Sequence, residues 1–126
     1  MAKPASLRYG LGARTGPTQH PFDRRFGVDT SGLVAGRNLP VGHAHDRYNT
    51  AYYGTTPSIF RALMKRWRRT RGTAALENYS FIDVGAGKGR ALLMASQLPF
   101  GQVIGVELHP RLVATARRNI RLWKQA

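Results

Sequence analysis

The residues best suited to chemistry are the string Asp83-Val84-Gly85-Ala86-Gly87-Lys88-Gly89 and, further along, Glu107. Three glycines in five residues allow backbone angles that other residues resist, so a chain leaving a strand can turn tightly and let a ligand approach its main chain. Where such a turn opens a helix, free N–H groups favour an anionic ligand group. Glu107 lies 22 residues beyond Gly85 and 18 beyond Gly89, at the end of the next apolar run. A carboxylate at that place can accept hydrogen bonds from both hydroxyls of a ribose. Asp83 has two open readings, a carboxylate capping the glycine loop or one that touches the ligand. Lys88 reads as solvated.

Four elements must position these residues. Tyr79 to Val84 is a short apolar run stopped by Gly85 and reads as a strand. Leu92, Leu93, Met94, Ala95 and Leu98, closed by Pro99, suit a buried helix. Gln102 to Leu108 is nearly all apolar, the pattern of a parallel strand buried on both faces. Pro110 opens a second helix with Leu112, Val113, Ala116, Ile120 and Trp123 on one side and most of its basic residues on the other. Strand, helix, strand, helix makes a βαβα unit of α/β class. Upstream, Thr56 fits a helix cap and Pro57 the first helical position, and Ile59, Phe60, Leu63, Met64 and Trp67 recur at helical spacing up to Gly72. This divides the chain into a flexible basic leader (1–21), an N-terminal extension with a loop and an amphipathic helix (22–76), and a ligand-binding segment (77–126).

Glycine spacing selects among nucleotide-binding patterns. A dinucleotide fingerprint needs a third glycine where Arg90 stands, which argues against a nicotinamide cofactor. A phosphate-binding P-loop fails twice, at Ile82 in place of its first glycine and at Gly89 in place of Ser or Thr. What remains, D-x-G-x-G-x-G with an acid after the next strand, resembles motif I and the following acidic anchor of the class I S-adenosylmethionine-dependent methyltransferases, in particular a bacterial group. The likeness covers residues 79–120, and more loosely FDRRFGVDTSG and YYGTTPSIFRALM. It is more distantly similar to the non-SET histone-lysine methyltransferases, which carry a lid segment before this motif.

The resemblance implies a Rossmann-like methyltransferase fold with S-adenosyl-L-methionine as cofactor. Asp83 would orient the methionine amino end through the loop; Gly85, Ala86, Gly87 and Gly89 would line it; Glu107 would hold the ribose. Tyr53, Gly54, Thr55 and Thr56 would match a loop covering the methionine end. Methyl transfer from a sulfonium is an in-line displacement, for which a protein supplies mainly proximity and alignment; no catalytic residue or methyl acceptor is assigned. The resembling fold has a seven-stranded sheet, of which this sequence supplies two strands. The expectation is therefore an incomplete fold, an amino-terminal part with half a cofactor site, marginal stability and apolar surface exposed on its helices.

Composition limits the rivals. The 126 residues carry a net charge of +14 and no cysteine, which excludes a disulfide framework, a thiolate zinc site and a cysteine nucleophile and fits a reducing, cytoplasmic setting. No apolar run reaches the roughly 18 residues that a membrane span needs. Thirteen of the 20 basic residues precede Glu77, and Lys65, Arg66, Arg68, Arg69 and Arg71 fall within seven positions. That run supports an alternative function, non-specific nucleic-acid binding without catalysis; a solvated helix end is the preferred reading. His43, His45 and Asp46 read as exposed loop residues and no metal is expected. His109 reads as a helix cap, and His20 has no evident partner.

Overall fold

A computed structural model of the chain describes residues 19–123. Most of the expected basic leader lies outside the described residues. Besides three 3-10 turns (Gly36–Asn38, Asp46–Tyr48 and Leu76–Asn78), four α-helices and two strands follow in order: helices α1 (Pro21–Phe26) and α2 (Pro57–Thr70), strand β1 (Ser80–Val84), helix α3 (Arg90–Ala95), strand β2 (Gln102–Val106) and helix α4 (Pro110–Leu122). The two strands pair in parallel, with Asp83 opposite Gly105 and Val84 opposite Val106. A parallel pair needs a crossover, and α3 supplies it. The result is a mixed α/β unit. Among the described residues no helix is long and apolar enough to cross a membrane.

Local sequence sets each boundary. Proline occupies the first turn of α1, α2 and α4, where its missing N–H costs nothing. Gly27 closes α1 at φ 67°, a left-handed angle that glycine reaches without strain. Thr56 does stand at the head of α2, but its side chain makes no capping bond. The start of α2 is thus set by Pro57, which is buried, and by Phe60, which packs on Phe81 of β1 with ring centroids 5.9 Å apart.

All six residues of α3 are buried. The core gathers around Ala91, Leu93, Met94 and Ala95, joined by Phe22 and Val28 from the N-terminal segment and Phe60 from α2. Burying a side chain such as Leu93 contributes about 1.5–3 kcal/mol relative to leaving it in water. α3 is therefore the element around which the N-terminal extension and the sheet assemble.

The expectation that β2 is buried on both faces does not hold. Ile82, Val84, Ile104 and Val106 are all exposed. Among the described residues α3 packs on one side of a two-stranded sheet, and nothing covers the other. Exposed apolar surface occurs on helices as expected, at Ile59 and Leu63 of α2 and Ile120 and Leu122 of α4, but the sheet exposes as much.

Candidate functional site

β1 and β2 end side by side, so the residues that follow them must share one space. A cleft of about 580 Å³ opens there, bounded by the strand ends and by the segment Asn49–Thr55. Of the expected site residues Tyr53, Asp83, Gly85, Ala86 and Glu107 line it, while Thr56, Gly87 and Gly89 do not. Thr55 takes the place expected of Thr56. Tyr53 is mostly exposed.

Glu107 reaches back to the glycine loop. Its Oε2 accepts the Gly87 N–H at 2.8 Å, and its Oε1 accepts the His109 N–H at 2.8 Å. The carboxylate that caps the loop is therefore Glu107 and not Asp83. An ionised carboxylate offers about four acceptor positions; two are used here, which leaves two for a ligand.

Asp83 is half-buried and accepts no hydrogen bond from the described residues. Burial, and then the neighbouring charge of Glu107, push its carboxyl above the usual range. Two acids thus face one cleft, and one of them lacks a partner.

The loop amides do not behave as the sequence suggested. Gly85 and Ala86 both donate to the Val106 carbonyl, at 2.8 and 3.0 Å, and Gly89 donates to the Ala86 carbonyl at 2.8 Å. With Gly87 committed to Glu107, these four donors are occupied within the protein, and the anion-binding nest expected at the head of α3 does not form from them. The three glycines also serve different ends. Gly85 turns at φ 80° with open space where a side chain would stand, whereas a Cβ on Gly87 would run into the Tyr52 ring. Gly89, at φ 88°, faces Ala116 of α4.

Several residues that shape the site carry no recognisable motif. Arg90 is buried; its Nε donates to Thr30 Oγ1 at 2.7 Å, one terminal nitrogen donates to Ser31 Oγ at 2.9 Å, and the other lies 3.4 Å from the Gly54 and Thr55 carbonyls. Asp23 accepts the Thr30 N–H at 2.9 Å and the Thr30 hydroxyl, and lies 3.9 Å from Arg90. Lys88 is not solvated, contrary to expectation. It is largely buried, pairs with Asp29 at 2.9 Å and donates to the Ser31 carbonyl at 2.7 Å. Asn119 of α4, fully buried, bonds both backbone groups of Asp29 and the Lys88 carbonyl. Tyr52 donates its hydroxyl to the Thr30 carbonyl at 2.7 Å, and burial pushes its pKa up to about 12. In the sequence the only hint was the residue types: Asp, Thr and Ser in a segment without period, and a lone Asn on α4.

No family model, curated protein or solved structure matches this chain. His109 occupies the cap position of α4 but makes no side-chain capping bond; it is buried, lines the cleft, and its Nδ1 has no partner. His20 does find partners, accepting the Phe22 N–H on its ring and donating its own N–H to Ser31 Oγ. Asp46 ties a loop: the amides of Val41, Gly42 and His43 all bond it, and these bonds, Val41's first, hold its carboxyl below the usual range. Among the described residues no three His, Asp or Glu side chains gather as a metal site. Arg71 turns inward over the Trp67 and Tyr79 rings, 6.0 and 5.9 Å from their centroids, so the basic run does not present five cations to one surface.

Proposed function

We propose that the cleft binds S-adenosyl-L-methionine and that the chain is a class I methyltransferase, of Rossmann-like fold, with its acceptor undetermined. The observation that carries this reading is the charge of the cleft. A dinucleotide or nucleoside triphosphate brings phosphates that need free amides or cations. Here the Gly85, Ala86, Gly87 and Gly89 amides are taken, two carboxylates face the space, and the Arg90 guanidinium is engaged by Thr30 and Ser31. S-adenosylmethionine has no phosphate and carries a sulfonium and an ammonium. A cation beside Asp83 would relieve the repulsion from Glu107.

In this reading the two unused acceptor positions of Glu107 take the ribose hydroxyls, Asp83 takes the ammonium of the methionine end, and Gly85 lets the ligand approach its backbone. Tyr53 and Thr55 flank the same space. When bound, the cofactor supplies an electrophilic methyl group; the residues of this chain bind and orient it. The rival reading, a nucleic-acid binder without catalysis, rests on the exposed Lys65, Arg66, Arg68 and Arg69 alone, because Arg71 is withdrawn.

Isothermal titration with S-adenosylhomocysteine tests the proposal. We expect weak, saturable binding that oxidised nicotinamide dinucleotide does not displace, and that Asp83→Asn and Glu107→Gln each weaken by about tenfold, the loss of one charge-assisted contact. Saturable binding of the dinucleotide in place of S-adenosylhomocysteine overturns it.

A further inference from the structure

A second concavity, of about 680 Å³, lies between α1, α2 and the end of α3 and shares no lining residue with the cleft. Its floor is apolar, formed chiefly by Phe60, Met64 and Leu98. Its rim is cationic: Arg25 stands on the α1 side, and Arg61, Lys65, Arg68 and Arg69 follow one another along α2. Helical geometry is what assembles this rim. Positions 61, 65 and 68 share one face, which draws Arg61 into the group and turns Arg66 away from it.

No acid lines the groove, and none of these five cations is ion-paired among the described residues. The chain has only six acids in all. Asp23 and Asp29 are paired with Arg90 and Lys88, Asp46 ties its own loop, and Asp83 and Glu107 face the cleft. Only Glu77 is left, and residues 1–18 and 124–126 contain no acid. A second copy would bring a further net charge of +14 against the rim. Neither these 126 residues nor a second copy of them supplies the counter-charge.

We propose that this groove docks an acidic amphipathic helix of a partner protein. The lining of α2 runs from Pro57 to Arg69, which is about 18 Å at 1.5 Å per residue and matches three turns of an incoming helix. An apolar floor between cationic walls fits a helix with an i, i+4, i+7 apolar stripe flanked by carboxylates. A nucleic acid would satisfy the rim but leave the apolar floor without a partner.

The test is fluorescence anisotropy of the full chain with a labelled helical peptide that has leucines at i, i+4, i+7 and i+11 and glutamates between them. A shuffled peptide of the same composition, duplex DNA and phosphatidylglycerol vesicles serve as the other probes. Saturable binding of the striped peptide alone is expected. Arg61→Glu with Lys65→Glu weakens it by about tenfold or more, Arg68→Glu weakens it less, and Arg66→Glu leaves it within about twofold, since rim charges act through local complementarity. Thermal melts of all variants establish that they fold. Equal binding of the shuffled peptide, equal loss on Arg66→Glu, or groove-dependent binding of DNA or vesicles with no peptide binding overturns the proposal. The outcome is independent of cofactor binding at the cleft.

Discussion

The glycine loop and the segment from His20 to Thr55 build the same cleft in opposite ways. The loop acts through its backbone: Gly85 and Ala86 donate to the Val106 carbonyl at the end of the next strand, Gly87 donates to Glu107 just beyond it, and Gly89 donates to the Ala86 carbonyl within the turn. The N-terminal segment acts through side chains that cross long stretches of sequence, Arg90 to Thr30 over 60 residues and Asn119 to Asp29 over 90. One makes a shape; the other holds it in place. The loop's bonds reach no further than the next strand, but the cleft it lines is closed by a segment with little regular structure beyond α1.

The largest expected effect comes from cutting the side-chain ties at their centre. Arg90→Met leaves Asp23, which is 1% exposed, without its cation. Removing one partner of a buried pair costs about 3–5 kcal/mol. Urea denaturation should show a loss of that size, and a loss within 1 kcal/mol would mean that the segment is held by its apolar residues alone.

Gly87→Ala comes next, because the added methyl collides with the Tyr52 ring at a backbone angle of φ 55°. Overpacking of this kind costs about 1–3 kcal/mol. Tyr52→Ala in the same chain should recover part of that loss, so a double-mutant cycle reads the contact between the two regions directly. Strict additivity would mean that the loop and the segment are independent.

Sequence pattern was a good guide to where the loop lies and a poor one to the segment and to the loop's own bonds, for a physical reason. Hydrophobic periodicity and glycine spacing record local geometry, so the parallel strands, α2 and α4 and the placing of Glu107 one strand over from the loop followed from them. Long-range polar ties have no period. Lys88 looked solvated because its partners, Asp29 and the Ser31 carbonyl, stand 59 and 57 residues away. The role of Asp83 was open, and the bond from Glu107 to the loop was missed, for the same reason: Asp83 lies within β1 and Glu107 just after β2, and only the register, which places Val84 opposite Val106, puts Glu107 within reach of the Gly87 amide. The exposed face of β2 was misjudged because an apolar run reports what a strand could bury, not what covers it.

Asp83→Asn should have a smaller effect and the opposite sign. The native carboxyl is raised above its unfolded value of 3.8, so the folded state binds the proton more tightly. Its contribution to stability is present below 3.8 and is lost as pH rises through the native value. At neutral pH Asp83 therefore opposes folding, and the Asn variant should melt slightly higher while binding S-adenosylhomocysteine less well. A lower melting temperature at neutral pH would show that Asp83 has a structural partner.

The smallest effect is expected at Asp46, whose carboxyl is held low by backbone amides in an exposed loop. That contribution is present above 3.8 and fades as pH falls through the lower native value. Asp46→Ala should change the melting temperature by a degree or so at pH 7, on the order expected for an exposed site, and not at all once the carboxyl is protonated. An unchanged difference at low pH would remove the charge from this explanation.

The central claim is that the loop and Glu107 meet around one phosphate-free nucleoside ligand that carries an ammonium group. Amide ¹H–¹⁵N spectra of the isotope-labelled chain, recorded as S-adenosylhomocysteine is added, test it most directly. The account predicts saturable shifts concentrated at Asp83 to Gly89, at Glu107 to His109 and around Tyr53, with the groove along α2 unmoved. Shifts confined to α2, or none at the Gly87 amide when the ligand is in excess, would contradict it.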